Sequence, residues 1–182
     1  KKIRKIPTEF CMASGIKELF IPKNIKIVKR SAFKDCKNLK RVFFQEGTHK
    51  ILKEAFRKCV NLREVYLPKN TLKHLESEAF SNCLNLSIVN LGEPIETIER
   101  DCFYRCNLKD VKLPLTLKEL GPRVFGSNHS LSKVNIPHGI EKLNWKVFHC
   151  CSLTHIDFPD SLKTIDYKAF AANKFEKVVF PP

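Results

Sequence analysis

Signatures of catalysis and nucleotide binding are the first things missing from this chain of 182 residues. Glycine occurs only six times, and nowhere as a phosphate-cradling loop or a G-x-S-x-G nucleophile elbow. The H-E-x-x-H pair of a zinc protease is absent as well. Nor do the carboxylates recur as a pair suited to acid and base work. These absences exclude the common routes to catalysis, so the sequence reads as non-enzymatic, with no cofactor and no small-molecule substrate. No apolar run approaches the roughly 20 residues of a membrane-spanning helix. Around the first residue, Lys1, nothing resembles the apolar stretch of a secretion signal. Acid is scarce at one end. Residues 1–73 hold 20 Lys and Arg against six acids (Glu9, Glu18, Asp35, Glu46, Glu54, Glu64), whereas residues 74–182 hold 13 of each, so the whole formal charge of +14 sits in the first part. Such an end favours an acidic partner, or else is a solvated lysine-rich surface.

What is abundant is phenylalanine, 14 residues in a chain that is 43% hydrophobic, which is ample for a core. Eight of them, Phe10, Phe33, Phe56, Phe80, Phe103, Phe125, Phe148 and Phe170, recur at intervals of 22–24 residues. Three residues after each comes a small side chain: Ala13, Cys36, Cys59, Cys83, Cys106, Asn128, Cys151 or Asn173. An apolar residue follows after two or three more positions, from Ile16 and Leu39 to Leu153 and Phe175. Then comes a strand-like couple two apart, such as Val42 with Phe44 or Val65 with Leu67, usually followed by proline. A second apolar pair, such as Ile25 with Val28 or Ile95 with Ile98, leads to the next phenylalanine.

A spacing of two sends both side chains to one face of a short strand, and proline ends that strand because it lacks the ladder N–H. One copy cannot bury its apolar face alone, so the copies must stack, with parallel strands about 4.8 Å apart. The unit resembles the leucine-rich repeat of the BspA-like class, through "AFRKCVNLREVYLP" (residues 55–68) and "AFKDCKNLKRVFF" (residues 32–44). The fold expected is a leucine-rich repeat solenoid of about eight turns of 22–24 residues, with a parallel β-sheet on one face, short strands and turns on the other, and little α-helix. Ile3 and Ile6 already fit the second pair, and the chain stops just after "VVFPP". Neither end reads as a polar cap, so the expectation is a single array over residues 1–182 that is a segment of a longer protein or has an end covered by another domain.

The register also interprets "VFHCCSLTHIDF" (residues 147–158), where two cysteines lie between two histidines. Cys151 shares the slot of Cys36, Cys59, Cys83 and Cys106, and a ladder with one sulfur per turn cannot converge on a tetrahedral metal. Buried free thiols are expected, with Cys102 in the small slot before Phe103 and with Cys11 and Cys150 on turns open to oxidation. His149 and His155 read as surface residues, His155 on a strand beside Ile156, and no metal site is expected.

Residues interleaved with the inward strand positions should face outward. One such column reads Phe20, Phe43, Tyr66, Asn90, Lys112, and its neighbour begins Glu18, Arg41, Glu64. Three aromatics beside an arginine are side chains enriched at protein-binding hot spots, although aromatics also favour strands for local packing. The candidate binding residues are Glu18, Phe20, Arg41, Phe43, Glu64, Tyr66, Asn90 and Lys112. The BspA-like resemblance implies a cell-surface or secreted adhesion module binding another protein, such as a host surface or matrix protein. Two alternatives stay open: polyanion binding, to a sulfated glycan or nucleic acid, by the basic turns around Lys26, Lys29, Arg30, Lys34, Lys37, Arg57 and Lys58, and a structural spacer.

Overall fold

The computed structural model describes residues 3–11 and 14–180. Ala13, expected in the first small slot, lies outside the described residues. Most repeats supply two short strands separated by turns, and the described residues contain no helix. In chain order the first strands are β1 (Lys5–Ile6), β2 (Glu18–Ile21), β3 (Ile27–Val28), β4 (Arg41–Phe44), β5 (Lys50–Ile51), β6 (Glu64–Tyr66) and β7 (His74–Leu75). They continue with β8 (Ile88–Asn90), β9 (Thr97–Ile98), β10 (Asp110–Val111), β11 (Glu119–Leu120), β12 (Lys133–Val134), β13 (Lys142–Leu143) and β14 (Thr164–Ile165).

Every pairing is parallel and joins equivalent positions of adjacent copies. The strand couple builds the sheet β2-β4-β6-β8, in which Glu18 lies beside Arg41, Arg41 beside Glu64 and Glu64 beside Ile88. The second apolar pair builds a longer ladder, β1-β3-β5-β7-β9-β11, on the other side of the coil. Between the two lies one contiguous core, with one leucine and one phenylalanine from each central turn fully buried. Burying a phenylalanine contributes roughly 2–3 kcal/mol, and parallel-displaced rings add about 0.5–1.5 kcal/mol per pair. From Phe33 to Phe170 seven rings form one stack, with centroids 5.0–5.7 Å apart.

Two expectations need correction here. The solenoid has about seven turns rather than eight: Phe10 is 58% exposed and meets Phe33 edge-on instead of joining the parallel stack. The segment carrying His155 and Ile156 is not a strand, nor is the last copy around Val178.

The strand face is regular only where the step from the small slot to the next apolar residue is three. Cys36 to Leu39, Cys59 to Leu62 and Cys83 to Leu86 keep that step, and each leucine N–H bonds the carbonyl of its own cysteine, at 3.1, 3.0 and 2.9 Å. Cys106 to Leu108, Cys151 to Leu153 and Asn173 to Phe175 are one residue shorter. There the sheet shrinks to the two-residue β10 or disappears. The asparagines answer this defect. Asn128 accepts from the Leu108 N–H at 3.1 Å and Asn173 from the Leu153 N–H at 3.0 Å, so each satisfies a buried donor that the shortened turn beneath it leaves without a partner. A thiol offers no comparable acceptor, and asparagine fills the cysteine slot directly above the first two of these three shortened turns.

Around each buried phenylalanine the backbone bends through the left-handed region twice, two residues before and two after. Ser31, Glu54, Glu78, Asp101, Arg123, Lys146 and Lys168 form one such column, and Asp35 through Cys150 and Ala172 the other, with φ of 53–61°. Each costs about 1–2 kcal/mol for a non-glycine residue. Hydrogen bonds to the next turn hold them there, such as Glu54 N–H to the Ser77 carbonyl at 3.1 Å and Arg123 N–H to the Trp145 carbonyl at 3.0 Å.

Candidate functional site

Parallel in-register pairing forces like side chains of adjacent turns into ladders, and the outward strand column is one of them. Phe20 stacks on Phe43 at 5.0 Å and Phe43 on Tyr66 at 5.1 Å, with interplanar angles of 10° and 2°. Phe20 at the open end is 67% exposed, while Phe43 and Tyr66 are half-buried by their neighbours. Beside the rings, Glu18, Arg41 and Glu64 alternate in charge. The Arg41 guanidinium donates to Glu18, and the Tyr66 hydroxyl donates to Glu64 Oε2 at 3.1 Å, which raises the phenol's pKa. Arg41 is therefore tied to its own sheet rather than left as a free cation.

Asn90 closes this four-stranded sheet on β8. Lys112 stands apart from it, just beyond β10, which pairs only with β12. Six of the candidate residues thus share one continuous ladder with Asn90 at its edge, and Lys112 belongs to a different surface. That surface is a shallow open groove of about 820 Å³ lined by Asp110, Lys112, Lys133, Asn135, His155 and Asp157. Asn135 spans the gap there, accepting from the Leu113 N–H at 2.9 Å and donating to the Leu113 carbonyl at 3.3 Å. Sequence reasoning missed this groove, since it depends on the strand ladder failing.

The basic turns are less available than their charge implies. Glu54 is nearly buried and receives Lys34 at 2.8 Å, Arg57 at 3.6 Å and Arg30 at 3.8 Å. The Lys34 hydrogen bond, with the nearby guanidinium groups, holds its carboxyl below the usual range. Arg57 also meets Glu78 at 3.3 Å. Lys26 and Lys29 flank β3 on the opposite ladder, so the seven basic residues do not form one patch.

All eight cysteines are free. Cys36, Cys59, Cys83, Cys106, Cys151 and the pre-phenylalanine Cys102 are buried, and Cys11 and Cys150 are partly exposed. In the ladder each thiol donates back across a turn, Cys59 to the Phe33 carbonyl at 3.0 Å and Cys151 to the Phe125 carbonyl at 3.3 Å. Burial pushes the Cys151 thiol up to about 12 and raises Cys59, Cys83, Cys102 and Cys106 as well. Such thiols are poor nucleophiles. Cys150 lies 3.6 Å from His149 Nε2, while His155 instead meets Asp157 at 2.9 Å. Among the described residues no three His, Cys, Asp or Glu side chains converge as a metal site, and no helix is long and apolar enough to cross a membrane.

Solved structures similar to this coil include leucine-rich repeat proteins. A T. pallidum leucine-rich repeat protein is 27% identical, with 82% of this chain covering 72% of that one at a TM-score of 0.75. One from Bacteroides ovatus is 24% identical, with 85% covering 43% and a TM-score of 0.76. A leucine-rich cell surface protein from Faecalibacterium prausnitzii is 20% identical, with 90% covering 60% and a TM-score of 0.61. A search of curated proteins finds no match. The family described as BspA type leucine rich repeat region matches in six copies over residues 4–132 and 96–182, a repeat class of generally non-catalytic binding modules, and the chain belongs to that family.

Proposed function

We propose that this chain is a non-enzymatic binding module that engages another protein, at a cell surface, through the outward strand face of its N-terminal turns. The observation that carries this reading is the stack of Phe20, Phe43 and Tyr66, aromatic area presented to solvent on a rigid sheet. Because the rings are held by one another and by the strands, little side-chain freedom is lost when a partner covers them. Glu18, Arg41 and Glu64 supply a polar margin, and Asn90 the end of the contact. The cell-surface setting rests on the name of the F. prausnitzii relative and on the family.

The test is capture of purified extracellular matrix and host surface proteins by the immobilised chain, at low and high ionic strength. Replacing Phe20, Phe43 and Tyr66 together with alanine should abolish any specific capture while the fold survives. A contact centred on these rings changes little with salt. Steep loss at high salt would instead point to a polyanion, and capture untouched by the triple replacement would leave the face a spacer surface.

A further inference from the structure

The column two residues before each buried phenylalanine changes sign along the solenoid: Glu54, Glu78 and Asp101 are followed by Arg123, Lys146 and Lys168. On the acidic half, Lys34, Lys53, Arg30 and Arg57 close the balance. On the basic half it stays open. Arg123 is held by Asp101 at 2.6 Å, but among the described residues no carboxylate pairs with Lys146 or Lys168. Their ammonium groups lie instead over aromatic faces, Lys146 at 4.9 Å from the Trp145 ring and Lys168 at 4.9 Å from Tyr167. Arg123 sits between Tyr104 and Trp145, at 5.0 and 5.3 Å. His149 completes the cluster, and a cleft of about 80 Å³ opens among Tyr104, Arg123, Gly126, Lys146 and His149. Lys146 and Lys168 together depress the His149 pKa after burial does, so their fields reach this cleft.

We propose that this edge binds an anionic saccharide, with its sulfate or carboxylate group held by Lys146, Lys168 and His149 and its ring laid against Trp145 and Tyr167. Cations left over rings rather than in ion pairs are free to take an oxyanion, and charge-assisted hydrogen bonds are the strong ones. The aromatic faces suit the C–H side of a sugar, whose hydroxyls stay in water, and Tyr167 is 60% exposed. The size of the patch selects a short ligand. Arg123 and Lys168 are two turns apart, about 10 Å, and Asp101, Glu78 and Glu54 continue the same column. A long polyanion lying along the edge would run into those carboxylates, which argues against nucleic acid.

Trp145 is the single tryptophan of the chain, so its fluorescence reports on this edge alone. The experiment titrates the full chain with a sulfated heparin-derived tetrasaccharide, its desulfated counterpart, inorganic sulfate and a single-stranded oligonucleotide. The sulfated sugar should give a saturable change in Trp145 emission, tighter than inorganic sulfate. Lys146→Asn with Lys168→Asn should weaken it about tenfold or more; asparagine tolerates the left-handed backbone at both positions, so the fold is kept. Tyr167→Ala should weaken the sugar but not sulfate. Lys17→Gln with Lys23→Gln, elsewhere on the surface, should change nothing. The proposal is overturned by no saturable change, by equal losses from both lysine pairs, by sulfate binding as tightly as the sugar, by an unchanged affinity after Tyr167→Ala, or by tighter binding of the oligonucleotide. Because Phe20, Phe43 and Tyr66 lie on another face, their alanine variant keeps this binding whether or not the strand face takes a protein.

Discussion

Between Phe33 and Phe80 the stacked rings are 5.0 and 5.1 Å apart, and from Phe80 to Phe170 they are 5.4–5.7 Å apart. The first stretch has the continuous sheet β2-β4-β6-β8, three-residue steps after every cysteine and a closed network of ion pairs around Glu54 and Glu78. The second has shortened turns, strands of two residues or none, asparagine in place of cysteine above two of the shortened turns, and lysines resting on aromatic rings. One deleted residue in a repeat is enough to cause part of this contrast. It removes the turn that aligns the strand, and with the strand go the hydrogen bonds that hold adjacent coils at the β-sheet spacing.

The largest expected effect comes from deleting a stacked ring. Phe56→Ala and Phe148→Ala both empty a fully buried site and should each cost about 3–5 kcal/mol in urea unfolding. Phe56 should cost more by about 1 kcal/mol, since it also meets Phe44 edge-on at 6.2 Å within the tighter half. Equal losses would break the distinction between the halves.

Next comes a reciprocal swap. Asn128→Cys leaves the Leu108 N–H unpaired and should cost about 1–3 kcal/mol. Cys83→Asn should also destabilise, because the Leu62 N–H beneath it already bonds the Cys59 carbonyl at 3.0 Å. A neutral Cys83→Asn would mean that asparagine above a shortened turn is coincidence.

Glu54→Gln should cost about 1.5 kcal/mol at neutral pH, the order of one hydrogen bond to a charged group. The pH profile sharpens this. The folded carboxyl is held below its ordinary value of 4.5, so its contribution is complete above that pH and is lost as pH falls through the lowered folded value. The acid limb of the stability curve should therefore flatten in Glu54→Gln. Lys146→Gln, in the same column of the other half, should leave that limb unchanged.

Thiol labelling should cost no stability and divide the cysteines by place. Native protein treated with iodoacetamide should be modified at Cys11 and Cys150 first, and peptide mass mapping should find the buried ladder labelled only after denaturant is added. Labelling of Cys59 or Cys83 in the native state would show the tight half opening locally.

Much of this architecture was legible because a repeat turns sequence distance into spatial contact. Glu18, Arg41 and Glu64, spaced by 23, are neighbours in the sheet, and the Phe20, Phe43, Tyr66 ladder follows from the same arithmetic. A sum of charges along the chain carries no information on pairing. The excess of lysine and arginine lies in the N-terminal turns, yet Glu54 and Glu78 are turned to meet Arg57, and no count of charges carries that orientation. Trp145, Lys146, Tyr167 and Lys168 carry no signal in the composition, since they lie in the half where acids and bases balance. The left-handed residues carry little signal too, since apart from Asn82 they are residues such as Glu54, Arg123 or Lys146 rather than the glycine or asparagine that usually marks such turns.

By itself the amino-acid order determined which residues stack, which face is apolar and that the coil is parallel, because each copy must bury its phenylalanine, small slot and leucine against the same residues of the next. Only the tertiary structure decided where the strand ladder fails, which asparagine repairs a donor on the turn beneath it, and which cations lack a carboxylate. Those outcomes depend on how one turn sits on another, to within the length of a hydrogen bond, and a spacing pattern along the chain does not contain that distance.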